Sequence, residues 1–300
     1  MNNNLNKVKY EEPCDGRLSS TVPREGRGET PRHLLNRKIQ LLGIVNLTDD
    51  SYYAPSRVQD PDAFLGRVGT MLAEGADWID IGACSTRPGA QPVGADEEWR
   101  RLEPALQALR GAFPEARVSI DTYWASVVER AYDLIGPFLV NDISAGVYDT
   151  GMLPLVGRLG LPYIAMHMRG TPETMQSMTD YPKGVTAEVL RYFKGFAKRA
   201  TKAGIMDWIL DPGFGFAKTV EQNWTLLEEL DRLQVLQMPI LVGVSRKSMI
   251  YKRFGITPEE SLPATQVAHF IALQRGASWL RVHDVAEARR TVSLFMSERV

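Results

Sequence analysis

The chain has 300 residues, 44% hydrophobic and 24% charged, which is enough to bury a large core as one α/β barrel or two ordinary domains. A formal net charge of −1 gives no field to draw in nucleic acid or anionic lipid, so any anionic ligand must be met by a local cluster and the expected partner is a small molecule. Cys14 and Cys84 are the only cysteines and form no C-x-x-C pair, which argues against a disulfide framework or zinc site and suits a reducing cytoplasm.

In chain order, residues 1–36 are rich in Asn, Glu, Arg, Gly and Pro and show no apolar periodicity. Such a segment cannot bury enough apolar surface to offset its ordering entropy, so a mobile N-terminal extension is expected, followed by one domain over 37–300. Its start, MNNNLNKVKYEEPCDG, lacks the apolar centre of a secretory signal, and no run in the chain nears the roughly 20 apolar residues of a membrane span. From Gln40 onward, apolar runs at 40–47, 78–83, 117–122, 138–144, 162–168, 208–213, 239–245 and 279–284 read as strands. Amphipathic stretches at 60–76, 95–113, 123–135, 185–204, 220–234 and 261–277 read as helices between them. Residues 148–160 allow only a short helix, and the polar, Pro-containing connection 168–184 reads as a possible lid. Gly75 and Gly276 precede new strands, where a helix ends in the left-handed conformation. Eight alternating units favour a closed (β/α)8 TIM barrel over an open doubly wound sheet.

On such a barrel the C-terminal strand ends meet at one face, and here they carry Asn46, Asp50, Arg87, Asp121, Asn141, Asp211, Lys247, Arg281 and His283. The last two runs close on S-R-K-S (245–248) and R-V-H-D (281–284), in the loops where barrels often hold phosphate. Lys247, Arg281 and His283 suit a phosphate or diphosphate, with Asn46 and Ser245 as neutral donors. The competing reading is surface salt bridges, but a cation directly ending an apolar strand is unusual for one. Asp121, Asn141 and Asp211 sit at strand mouths, where a carboxylate must be paired, ligated or hydrogen-bonded. They suit the edge of a planar, amine-rich ring, or a metal, although the first strand carries no H-x-H. His167, between Met166 and Met168, reads as a packed core histidine. The flexible methionines suit the face of a flat ring, or simply fill core. The loops at 46–57 and 85–94 combine Gly or Pro with hydroxyls and charge, and are either solvated or able to close over a site. D-P-G-F-G-F-A-K-T is not a P-loop, because Pro212 and Ala217 stand where glycines are required; it reads as a turn presenting Phe216 and Lys218.

Taken in order, G-I-V-N-L-T-D-D-S, D-I-G-A-C-S-T-R-P-G-A, S-I-D-T, V-N-D-I, M-H-M-R-G-T-P, L-D-P-G-F-G-F-A-K-T, S-R-K-S and R-V-H-D resemble the motif series of the dihydropteroate synthase family over roughly residues 40–295. The resemblance implies a (β/α)8 barrel transferase of folate biosynthesis, a sulfonamide target and commonly a homodimer. It condenses 6-hydroxymethyl-7,8-dihydropterin diphosphate with 4-aminobenzoate, using Mg2+. By the same resemblance the pterin ring meets Asp121, Asn141, Met166, Asp211 and Lys247, with Arg281 stacking near it. The diphosphate meets Asn46, Arg281 and His283, with Asn46 and the first loop helping Mg2+. Aminobenzoate lies between Thr86, Arg87, Pro88, Phe216, Lys247 and Ser248, and Asp50 with Thr86 and Arg87 seals the site.

Four positions depart from the family pattern: Asp49 for Pro and Tyr52 for Phe in the first loop, and Ala83 and Cys84 for Gly and Glu before the second. The substrates' chemistry implies a dissociative substitution, in which diphosphate leaves before the weakly nucleophilic arylamine attacks. Two rivals remain: a pterin-binding methyltransferase, which has no use for S-R-K-S, and a catalytically inactive pterin-binding homologue.

Overall fold

The computed structural model describes residues 38–47, 61–84 and 93–298. The 1–36 extension lies outside the described residues, as do Thr48, Asp49, Asp50 and Tyr52 of the first loop and Thr86, Arg87 and Pro88 of the second.

Eight parallel strands form the sheet: β1 (Gln40–Asn46), β2 (Trp78–Gly82), β3 (Val118–Asp121), β4 (Leu139–Asp142), β5 (Tyr163–Met166), β6 (Trp208–Asp211), β7 (Leu241–Val242) and β8 (Trp279–Val282). Their order is β6-β5-β4-β3-β2-β1-β8-β7, and a parallel bridge between Leu210 and Ile240 joins the two edges, so the sheet closes into the expected barrel. Around it pack α1 (Pro61–Ala73), α2 (Ala95–Ala112), α3 (Ala125–Ile135), α4 (Met152–Leu159), α5 (Val185–Ala203), α6 (Val220–Glu228), α7 (Ser248–Phe254), α8 (Leu262–Gln274) and α9 (Val285–Ser297).

The interior is set by strand alternation. Leu42, Leu139, Ile164, Ile209 and Leu241 form one apolar cluster with Trp78 and Trp279, separate from the larger core between strands and helices. Residues from so many strands can meet only inside the barrel, where they make an apolar plug. Side chains two residues further along a strand share its face. The layer above the plug is therefore Ile44, Asp80, Asn141, Met166, Asp211, Gly243 and Arg281, one strand position each, with Asp121 beside Asn141 in register. A dry floor under a charged layer is what the strands alone dictate.

Several elements differ from the sequence reading. β7 is shorter than 239–245, because the chain leaves the sheet after Val242 and turns through Arg246 at φ 54°. The helix read over 220–234 stops at Glu228 and continues as 3-10 turns over Leu230–Leu236. Its start is held by a capping box, Thr219 with Gln222. α7 and α9 were not read from the sequence; α7 has only 7 residues, too few to show a period. The 168–184 connection packs down as a strap: Met175 and Tyr181 are buried, the Tyr181 hydroxyl donates to Ala217 O at 3.0 Å, and Gln222 Nε2 donates to Thr179 O at 2.7 Å. Gly75 and Gly276 have φ of 97° and 95°, as expected of helix ends. Among the described residues no helix is long and apolar enough to cross a membrane.

Helix α4 crosses the end of α5 so closely that a Cβ on Gly157 would lie 1.7 Å from Ala203 O. Gly157→Ala should therefore force the helices apart and cost about 1–3 kcal/mol, the scale of overpacking. Urea denaturation measures this, and an unchanged midpoint would show that the crossing yields freely.

Candidate active site

A charged group inside a barrel of apolar strands has to bring its counter-charge with it. Arg281, at the end of β8, donates Nε–H to Asp80 Oδ2 at 2.6 Å and Nη2–H to Asp121 Oδ2 at 2.7 Å. Asp80 is fully buried, and it also accepts the Ser119 hydroxyl at 2.6 Å and the Asn141 amide at 3.3 Å. A carboxylate can only accept, so the Asn141 NH2 must face Asp80, which leaves Asn141 Oδ1 as the acceptor end. Sequence reasoning missed Asp80. The signal was present: a carboxylate in the middle of W-I-D-I-G, two residues from Trp78 and so on the inward face.

Electrostatics follow the geometry. Burial works against the Arg281 charge, but Asp80 and Asp121 outweigh it and raise its pKa. Burial pushes Asp121 up to about 7, opposed by Arg281 and reinforced by Asp80, Asp142 and Asp211. Asp211 is also raised by burial, against the pull of Lys247 and the Gly213 N–H, which donates to Asp211 Oδ1 at 2.8 Å. Gly82 lies between Asn46 and Asp121: a Cβ there would sit 3.6 Å from Asn46 Oδ1 and 3.4 Å from Asp121 Cβ. Its missing side chain lets these two groups face one space.

Lys247 reaches across from the β7 loop, donating to Phe214 O at 2.6 Å and lying 4.8 Å over the Phe216 ring. Burial lowers its pKa to about 8, opposed by Asp211 and reinforced by Arg281. Gly243 touches both cations, since a Cβ there would lie 3.7 Å from Arg281 Cβ and 4.0 Å from Lys247 Nζ. Half of each terminal motif is structural. Arg246 is buried and grips Asp284 with Nε and Nη2 at 2.8 and 2.9 Å, while Nη1 donates to Pro258 O and Glu259 O. That clamp ties the β7 loop to the β8 loop and leaves Lys247 and Ser248, the first residue of α7, half-buried at the mouth.

His283 differs from the cation expected of it. Burial and the nearby charges of Arg281, Arg246, Lys247 and Arg67 lower its pKa to about 3, so it is neutral at pH 7. Ser245 Oγ lies 3.0 Å from His283 Nδ1 and accepts the His283 backbone N–H at 3.3 Å, which fixes the ring beside the β7 loop. His283 thus brings a hydrogen-bonding imidazole to the site without charge.

The apolar wall is Tyr123, Ile143 and Met166, with Cys84, Trp124, Tyr148, Met168 and Phe216 packed against it. Lys218, expected beside Phe216 at the surface, turns inward instead. It donates to Gly213 O at 2.9 Å and Phe216 O at 3.0 Å, and meets His167 Nδ1 at 3.0 Å. His167 is buried between Tyr181 and Tyr192, consistent with the packed core histidine of the sequence reading. Burial raises the pKa of Cys84, so the residue replacing the family's Glu stays a neutral thiol.

Removing one member of the Arg246–Asp284 clamp strands a buried charge. Arg246→Met should cost about 3–5 kcal/mol in a urea melt, and Arg246→Met combined with Asp284→Leu should recover part of that loss. A neutral single variant would mean water already solvates Asp284.

Comparison with known proteins points to one family. The family model described as "Pterin binding enzyme" matches residues 42–283. The chain is 40% identical over 252 residues to the dihydropteroate synthase of Synechocystis sp., covering 83% of this chain and 86% of that protein. It is 37% identical over 260 residues to the folic acid synthesis protein fol1 of Schizosaccharomyces pombe, covering 84% of this chain but spanning only 35% of that longer protein. A crystal structure of the Yersinia pestis dihydropteroate synthase with a sulfonamide drug complex superposes with a TM-score of 0.83 at 36% identity, covering 88% of this chain and 95% of that one. The chain belongs to the pterin binding enzyme family, among its dihydropteroate synthases.

Proposed function

We infer that this chain is a transferase of folate synthesis that joins 6-hydroxymethyl-7,8-dihydropterin diphosphate to 4-aminobenzoate, giving 7,8-dihydropteroate and diphosphate. The observation that carries the reading is that an acceptor set, Asp121, Asn141 and Asp211, and two half-buried cations, Lys247 and Arg281, meet at one barrel mouth. The acceptors suit the N–H edge of the pterin, Met166 its face, and the cations the departing diphosphate. A methyltransferase would leave Lys247 and the clamp behind it without a task. The inactive alternative has no support from the relatives.

The reaction breaks the C–O bond to diphosphate, which takes the electron pair, and leaves a cation on the exocyclic methylene stabilised by the electron-rich dihydropterin. Arg281 and the His283 imidazole lower the cost of the departing charge. The arylamine nitrogen then attacks, and its proton passes to solvent or diphosphate. 4-Aminobenzoate lies against Phe216, Lys247 and Ser248. By the sequence resemblance, Asp50, Thr86, Arg87 and Pro88 complete that subsite and exclude water that would trap the cation.

Asn46 fits Mg2+, which keeps waters and phosphate oxygens and needs few protein ligands. Its amide oxygen faces the space beside Gly82, and no trio of His, Cys, Asp or Glu among the described residues makes a competing cage. Mg2+ held there would neutralise diphosphate charge. Homodimerisation, a place among sulfonamide targets and a cytoplasmic location complete the reading. The dimer is supported by Val267 on α8 and Leu294 on α9, which are 60% and 57% exposed on packed neighbouring helices.

The direct test is diphosphate release from the pterin diphosphate, with and without 4-aminobenzoate and Mg2+. Release only with all components supports the reading, and pterin binding without turnover would sink it. Lys247→Met should lower turnover by at least about a hundredfold with the fold intact, since a charge aimed at the transition state is lost. In kcat/KM against pH, Asp121 must be ionised and Lys247 protonated, so the rate should rise through about 7 and fall above about 8. Lys247→Arg, always charged, should lose the alkaline limb. Val267→Glu should shift sedimentation from dimer to monomer.

A further inference from the structure

Arg281 has two carboxylate partners that differ in every respect but distance. Asp80 is fully buried, in register with Ser119 and two residues below the Gly82–Asp121 pair, and its oxygens are taken by Ser119, Asn141 and Arg281 Nε. It has no access to a ligand. Asp121 lies at the mouth beside the space opened by Gly82, and among the described residues it accepts only from Arg281 Nη2. Asp121 spends Oδ2 on Arg281 Nη2; when this carboxylate turns to the pterin edge, as the dihydropteroate synthase reading requires, the Nη2 bond is the one Arg281 can exchange while Nε stays paired with Asp80.

We propose that Asp80 is a positioning residue that holds Arg281 Nε in every state, so that Nη2 is an exchangeable end passed from Asp121 to the substrate. One bond to Nε fixes the guanidinium at its stem, and the bond from Asn141 to the same carboxylate orients a second ring contact. A single buried aspartate thereby aims both the cation and the amide acceptor. Asp80 also supplies the counter-charge for the whole cycle, so the desolvation of Arg281 is compensated before substrate arrives. The inference rests on the reading above, with a test that separates the two.

The wild-type protein, labelled with 15N-arginine, reports the anchor directly. The Nε–H of Arg281, assigned by its loss in Arg281→Met, should stay protected from exchange with and without the pterin diphosphate, while the Nη signals move on binding. Loss of Nε–H protection under saturating pterin diphosphate overturns the proposal, as do unmoved Nη signals when calorimetry shows that it binds. Kinetics give a second measure. Asp80→Asn should lower kcat/KM for the pterin diphosphate about tenfold or more, yet add clearly less than that in an Arg281→Met background, where only the Asn141 contact is left to lose. Ser119→Ala, which leaves the Arg281 bond intact, should change it less than about threefold. Multiplied losses in the double variant mean that Asp80 acts through general stability, and they refute the positioning role. Should Asp80→Asn fail to fold, the wild-type NMR measurement decides. No binding and no turnover by the wild type would sink the functional reading, while the ligand-free Nε–H signal would still test the anchor.

Discussion

A guanidinium cannot sit inside a ring of apolar strands without a carboxylate to meet it, and the Arg281–Asp80 contact at 2.6 Å is where this barrel meets that constraint. Asp80 lies on β2 and Arg281 on β8, with β1 between them, so the pair spans the sheet rather than a loop. Around it everything is placed by strand register. Ser119 and Asn141 sit on β3 and β4 and donate to the same carboxylate, and Asp121 meets the other end of the guanidinium. A shift of one residue in any of these strands would point the charged set at the helices.

The apolar plug below makes that layer dry on its lower side. With Trp78, Trp279, Leu42 and Ile209 beneath it, charge in the layer interacts strongly and shifts pKa values in opposite senses: Asp121 and Asp211 upward, Lys247 and His283 downward. Asp121, at about 7, and Lys247, at about 8, sit near their titration points and carry or release charge at little cost. This suits a site that must accept a polyanionic substrate and release diphosphate.

Above the layer, precision comes from loops that are themselves clamped. Arg246 spends its whole guanidinium on Asp284, Pro258 and Glu259, and Lys218 spends its ammonium on Gly213, Phe216 and His167. Neither is free for a ligand. Each fixes the loop from which a neighbour, Lys247 or Phe216, reaches the mouth. The same logic explains Gly213, where φ is 71° and a Cβ would lie 2.0 Å from His167 O.

The eight-strand alternation, the dry strands and the strand-end positions of Asp121, Asn141, Asp211 and Arg281 were legible in the sequence, because period-two patterning and burial act residue by residue; Lys247 instead sits in the loop after β7, which ends at Val242. The family was legible too, from the order of its motifs. Which members of a motif act and which only hold was not legible. Arg246 and Lys247 are adjacent cations in S-R-K-S, and only the approach of Asp284, 38 positions away, consumes one and leaves the other. The inward face of Asp80 was legible from its spacing to Trp78, but its pairing with a cation was not, because that partner is 201 positions distant. The charge of His283 was likewise undecided until Arg281, Arg67 and the Arg246–Lys247 pair converged on it from three parts of the chain. Local pattern determines which face a side chain takes; its partner and its charge depend on contacts between distant segments, and those exist only once the barrel closes.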